Sequence, residues 1–462
     1  DKLQHVSYSL IPDKFRPSLH IKLGTLLWHM SSRFRDSEWM VFMAADQLNR
    51  FSDDQVLGAE VAQLCLKAAN LSSSKSALIP AYEMLLSGVK HLNVDDKWTT
   101  HYNLSLELYS SMAELSVQLK KNDEGLEAVK EIQQHAKCKE DKFRSQCVML
   151  TYLTTGKDRN YQLGLQTALD LLRDYGVNFP SKLIPGQMIV QNHKFKRKLS
   201  GAKFTAILAR PNMTDRRSLH IMKLITEFCG MNMILTHQDK NLAFCTMLRA
   251  LDLSLEKGIC EHTGLAVMGL AIYLKDSGNY KDADKYAELA LQIMDRFPYA
   301  VGSLHSLVKI IGAGTVFGVT RPFSKILDLL MDVHGMALRQ GETEIAGSAI
   351  MVYSIMYIMI GLPLEALRTD LLSFELEARQ FRLPETVAVL FRVFRQTIMN
   401  LQDPVSNPCV LKGEAIDEDL TLSGLEGHGH RMTKRDIYTY RLLLALIFGY
   451  WDMVEMLMEE LE

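Results

Sequence analysis

Proline is scarce in this 462-residue chain, with 12 residues, and glycine is modest, with 27. That argues against collagenous or long disordered stretches. Charge of one sign is lacking as well: the net charge is −2 and the pI about 6.8. The overall field therefore implies neither nucleic acid nor an anionic membrane as partner. Catalytic signatures are missing: the chain has no kinase HRD or DFG, no G-x-S-x-G and no HExxH. Thr154–Asp158 (TTGKD) holds a Gly-Lys pair but lacks the first glycine and the Ser/Thr of a phosphate loop. No catalytic, cofactor-binding or metal-binding residue is assigned. The 7 cysteines (Cys65, Cys138, Cys147, Cys229, Cys245, Cys260, Cys409) are odd in number, scattered, and form no CxxC. Most sit in apolar helical runs, so they read as small core residues of a reducing, cytoplasmic compartment. Strand signals are nearly absent.

What is present is helix. Apolar residues make up 47% and charged residues 23%, ordinary for a soluble protein with a large core. The organising stretch runs from Asp95 to Pro180. Its first helix carries Tyr102, Leu106, Tyr109, Ala113 and Val117 on one stripe. Leu104, Leu108, Met112, Leu115 and Leu119 make a second stripe. A helix with two apolar faces is buried between neighbours on both sides, which suits a stacked helical array. The last helix of the stretch places Leu165, Ala168, Leu169 and Leu172 together. It should end at Tyr175-Gly176, with Val177 as cap contact and Pro180 as breaker.

Further helices are predicted over Ser37–Arg50, with Ser37 as N-cap, and over Asp54–Leu71, with Leu57, Val61, Leu64 and Ala68 on one face. Ser76–Leu92 contains Pro80, which predicts a kink or a later start. Asp123–Ala136 and Asp141–Thr155 follow. Gly264–Met294 is the clearest repeat: Leu270, Ala271, Gly278, Tyr280, Ala283 and Ala290 fall on tetratricopeptide (TPR) positions, while Val267 and Ala287 depart from the aromatic ones. Similar pairs are Asp215–Ile234 with Asn241–Lys257, Phe323–Gln340 with Glu344–Ile360, and Glu365–Gln380 with Glu385–Leu401. About 20 helices are expected from ordinary helix and connector lengths. Asp403–Met432 is the longest non-helical stretch, before a last pair turning at Gly449.

Several motifs resemble the helical region of very large signalling proteins. These proteins join a protein-kinase domain, a STAND-type AAA ATPase, a long TPR-like region, a GAF domain and often a histidine kinase. The run Trp98, Tyr102, Leu104, Leu106, Leu108, Tyr109 is similar to that region, and so is ALDLLRDYGVNFP (168–180). Asp1, Gln4, Tyr8, Ser9, Leu10 and Ile11 resemble the segment leaving the ATPase module, with Val6 where the family prefers Ala. Asn407, Pro408, Cys409, Leu411, Gly413 and Glu414 resemble an N-P-C-x-L-x-G-E loop. The resemblance covers nearly the whole chain. It implies ATP, Mg and kinase activity for a parent protein and none for these residues.

Four further features each have a structural and a functional reading. Ile345–Leu364 is uncharged over about a bilayer's length, but acidic Glu344 and Glu365 flank it, so a buried array helix is favoured. The run His193–Lys198 (HKFKRK), with Lys203, Arg210, Arg216 and Arg217, could face an acidic partner. Phe195 alone gives no aromatic interleaving for bases, so a solvated surface is favoured. His428-Gly429-His430, with Cys409, falls short of a zinc ligand set. The 24 methionines suit an irregular core better than an adaptable binding surface.

The expected fold is all-α, a superhelical array (α-solenoid) of antiparallel TPR-like helix pairs. Residues 1–30 form a junction from an upstream ATPase module. The first array is 31–200, the second 201–402, an irregular loop covers 403–433, and 434–462 begins another pair. The chain starts at Asp1, ends within an apparent helix, and reads as part of a longer protein. The expected role is a non-catalytic sensor or scaffold arm, its partners being other domains of the same chain and unidentified proteins or ligands, without nucleic acid or membrane. The alternative is a stand-alone TPR-like adaptor.

Overall fold

The computed structural model describes residues 8–34, 37–51, 58–92, 97–155, 160–179, 206–230, 233, 240–297, 304–339, 342–380, 385–403, 407–424 and 427–461. Among them the fold is all-helical. β pairing is limited to two isolated bridges, Asn212–Ile259 and Lys412–Asp417. Contacts divide the chain into two compact units, Asp1–Tyr152 and Leu153–Glu462. Residues 180–205, where the sequence places the join between its two arrays, are outside the described residues.

The first unit contains α1 (Arg16–Ser31), α2 (Glu38–Phe51), α3 (Gly58–Ser74), α4 (Leu78–His91), a single turn at Lys97–Thr100, α5 (Tyr102–Gln118) and α6 (Asn122–His135). The division falls within α7 (Lys139–Thr155). Each of α1 to α5 packs on the helix that follows it, and α3 also meets α5. Leu27, Val41, Ala44, Leu48, Leu64 and Ala68 form one core cluster. Leu85, Leu108, Met112, Ala113, Ile132 and Val148 belong to a second. Both stripes of α5 are used: Leu106, Tyr109 and Ala113 are buried on one, and Leu108, Met112 and Leu115 on the other.

Pro80 resolves to a later start. It is the third residue of α4, where its missing N–H would have had no intrahelical partner. Ser37 differs from expectation. It precedes α2, but its hydroxyl donates backwards to the carbonyls of Ser31 (2.7 Å) and Phe34 (2.9 Å). It therefore ties α2 to the preceding turn. Several helix ends share one closure. After α8 (Tyr161–Asp174), Gly176 has φ +77°. There the Val177 N–H donates to Leu172 and the Gly176 N–H to Arg173, each at 2.9 Å. These two hydrogen bonds close the last turn. Ser76 (φ +59°) and Lys120 (φ +57°) close α3 and α5 in the same way without a glycine.

The second unit continues with α9 (Arg216–Lys223), α10 (Lys240–Lys257), α11 (Glu261–Asp276), α12 (Tyr280–Asp295), α13 (Leu304–Gly312), α14 (Phe323–Arg339), α15 (Thr343–Ile360), α16 (Leu364–Gln380) and α17 (Glu385–Gln402). It ends with α18 (Glu418–Ser423), α19 (Gly427–Phe448) and α20 (Trp451–Leu461). The α11–α12 hairpin is the repeat seen in the sequence. Leu270, Ala271, Ala283 and Ala290 are buried at the interface, and so are the off-consensus Val267 and Ala287. These small side chains leave no exposed seam, each being fully buried. Asn279 caps α12 by accepting the Asp282 N–H at 3.3 Å. The pairs α14–α15, α16–α17 and α19–α20 pack likewise.

Two details depart from the sequence reading. The helix predicted over Asp215–Ile234 widens into a π-helix at Leu224–Gly230, and Ala313–Phe317 does the same after α13. The stretch 403–433 holds α18 and the first turns of α19. Asp417 starts α18 by accepting the Asp419 and Leu420 N–H groups. Ile345–Leu364 lies largely in α15, whose Ala346, Ala349, Ile350 and Ser354 are buried and which packs on α14, α16 and α17. Among the described residues no helix is long and apolar enough to cross a membrane.

Candidate functional site: a polar groove between α3 and α5

α3 buries Val61, Leu64 and Ala68, which turns Glu60 and Gln63 outward. α5 buries Ser105, Leu106, Leu108 and Tyr109, which leaves Asn103 and Glu107 outside. The two outward faces enclose an open groove of about 440 Å3. Ala59, Glu60, Gln63 and Leu66 form one wall; His101, Asn103, Leu104 and Glu107 form the other. The size suits a ligand segment.

Glu107 also joins an arginine clasp. Arg144 of α7 donates through Nη1 to Glu107 (2.7 Å) and through Nε and Nη2 to both oxygens of Glu114 (2.8 and 2.6 Å). Nη2 also reaches Ser111 Oγ at 3.2 Å. Burial opposes the charge on Arg144, but the bonds and attraction from Glu114 and Glu107 outweigh it and raise its pKa further. The bidentate fork holds Glu114, and the single bond ties the lining residue Glu107 to the same guanidinium.

The tryptophan–tyrosine motif is built into the core beside this site. Trp98 stacks on Tyr109 (centroids 5.5 Å) and on His135 (5.0 Å, planes 3° apart), with Tyr102 edge-on at 6.1 Å. Trp98 Nε1 donates to Glu131 at 3.1 Å. Lys97 covers the Tyr109 ring and Lys137 the Tyr102 ring, at 5.1 and 4.1 Å. Aromatic faces that could receive a foreign cation are already occupied by the chain's own lysines. The motif joins α5 to α6 and to the start of α7.

The N-P-C-x-L-x-G-E loop is likewise a packed plug. Cys409 and Leu411 are fully buried with Val393 of α17 and Ile437 of α19. Asn400 of α17 donates to the carbonyls of Pro408 (2.9 Å) and Val410 (2.8 Å), and Gln396 accepts the Ala415 N–H (3.0 Å). A Cβ on Gly413 would sit 2.6 Å from the Gln396 amide, so a larger residue there would push that amide aside. Glu414 pairs with Arg395 at 2.9 Å, and Arg395 also meets buried Glu375 at 3.3 Å. Arg441 holds Glu418 at 3.0 Å and donates to the Cys409 carbonyl at 3.1 Å.

No protein-family model matches the chain, and no curated protein matches it.

The remaining sequence candidates do not converge. Residues 193–198 and Lys203 are outside the described residues, as are Gly156, Lys157 and Asp158. Of the same basic group, Arg217 is spent on the Tyr175 carbonyl at 2.7 Å. The side chains of His428 and His430 are outside the description, and Cys409 is sealed in the core. Among the described residues no group of three or more His, Cys, Asp or Glu could hold a metal. Cys65, Cys147, Cys229, Cys260 and Cys409 are buried thiols, Cys245 is half-buried, and Cys138 is exposed. Burial pushes the Cys65 and Cys260 thiols up to about 11, which makes them inert packing groups.

Two histidine contacts had no sequence signal, because single histidines on helices are common. His262 of α11 lies 3.3 Å from Glu227, which stands in the π-helix. Burial lowers its pKa and overrides the pull of Glu227 and Glu261. His334 of α14 bridges the Ala346 carbonyl and Glu377, each at 3.1 Å. The space beside it is about 10 Å3, room for one water.

Proposed function

We propose that this chain is the non-catalytic helical sensor or scaffold arm of a large signal-transduction ATPase/kinase. It would act in the cytoplasm. Its helix pairs would continue as a TPR-like superhelix and regulate linked ATP-binding domains through contacts with them and with a protein or ligand partner. The observation that carries this reading is the succession of helix pairs, each packed on its sequence neighbours. Two motifs of that family's helical region, around Trp98 and around Cys409, serve packing in this chain. The accessible groove between α3 and α5 supplies a place for a partner.

The deciding experiment is to read the transcript across both edges of the segment. A G-x4-GK-[ST] motif upstream supports the arm. Start and stop codons at the edges refute it and leave a stand-alone TPR-like adaptor. Small-angle scattering tests the superhelix. A globule of this length has a radius of gyration of about 23 Å. A clearly larger value supports the extended array, and about 23 Å overturns it.

A further inference from the structure

We propose that the α3–α5 groove docks an extended polypeptide segment carrying a lysine or arginine beside an aliphatic residue. The proposal rests on reading the chain as a binding arm and names the chemistry of what it binds.

Three features of the groove support this ligand. The first is unused bonding capacity. Among the described residues, the side chains of Glu60, Gln63, His101 and Asn103 make no hydrogen bond or ion pair, although all four line one groove. Gln63 and Asn103 sit on opposite walls. A primary amide offers both donors and an acceptor, which matches an extended peptide backbone, whose N–H and C=O groups point to both sides. The second is charge. Glu60 and Glu107 face the groove; Glu107 is paired with Arg144, which leaves the Glu60 carboxylate unpaired. The groove therefore offers one charged acceptor to a cation and disfavours a phosphate backbone. The third is the apolar share of the walls. Ala59, Leu66 and Leu104 are half-buried in the groove. They give an aliphatic side chain a place to leave water, which a bare polyamine would not use.

The test uses the whole 462-residue chain and a displayed library of random octapeptides. Enriched peptides are synthesised and titrated calorimetrically against the natural chain and the variants Glu60→Gln, Gln63→Ala and Asn103→Ala. All three positions are exposed, so the variants should keep the parent's melting temperature. The expected result is enrichment of Lys or Arg next to Leu, Ile or Val. Glu60→Gln should then weaken binding about tenfold or more, the worth of a hydrogen bond to a charged group. Selected peptides without a basic residue, or with unchanged affinity for all three variants, overturn the groove proposal. So does the absence of any enriched peptide. None of these outcomes bears on the proposed parent protein, which the transcript decides separately.

Discussion

Asp436 gives the sharpest test of the packing at α19. It stands one turn before Tyr440, whose ring meets Phe394 of α17 edge-on at 4.7 Å. Burial pushes the Asp436 carboxyl up to about 6, and Arg435 offsets this only in part. An aspartate in the unfolded chain titrates near 3.9, so the gap is about two pH units, worth up to about 3 kcal/mol. Residual contact with water reduces this to about 1–3 kcal/mol. The native state holds the proton more tightly than the unfolded state. Stability is therefore lost as pH rises from about 4 to about 6, and the cost is fully present above that. Asp436→Asn keeps the shape and removes the charge. The variant should be more stable than the parent by about 1–3 kcal/mol at pH 8, with the advantage shrinking towards zero near pH 4. Urea unfolding followed by circular dichroism at pH 5, 6, 7 and 8 reads this as a midpoint difference. An advantage equal at pH 5 and pH 8 would refute the burial argument, and so would a variant less stable at pH 8.

Three other substitutions test separate parts of the fold. Trp98→Ala removes the ring that joins Tyr109, Tyr102 and His135; it should cost about 3–5 kcal/mol, while Trp98→Phe costs clearly less, in thermal unfolding. Arg395→Met leaves Glu375 with only the exposed Arg379; a loss of about 3–5 kcal/mol is expected, and Glu375→Leu added to it should restore part of that in a double-mutant cycle. Ser76→Gly works in the opposite direction. It relieves a left-handed residue at the end of α3 and should raise stability by about 1 kcal/mol; a lower melting temperature would count against that account.

Features set by neighbours in the chain were legible before the structure. The two stripes of α5 come from spacing alone, and both are buried. The Gly176 ending comes from local backbone chemistry and forms where expected. Features set by distant partners were not legible. Residues 407–416 look like a polar loop, and local bonds such as that from the Gly413 N–H to the Ile416 carbonyl satisfy only part of their backbone. The Pro408 and Val410 carbonyls and the Ala415 N–H are bonded by Asn400 and Gln396, on a helix that is itself read as ordinary core. Ser37 has a capping residue's identity, yet its hydroxyl finds nearer acceptors in the preceding turn. The groove is the extreme case. Glu60 and Gln63 on α3, and Asn103 and Glu107 on α5, each resemble a solvated helix face. They become a site only when the cores behind them, Val61 and Leu64 on one side and Leu106 and Leu108 on the other, set the two helices side by side. The hydrophobic pattern that made the fold readable is thus also what assembles the groove. Its polar lining is free to vary without harm to folding, so that lining is where specificity for a partner can reside.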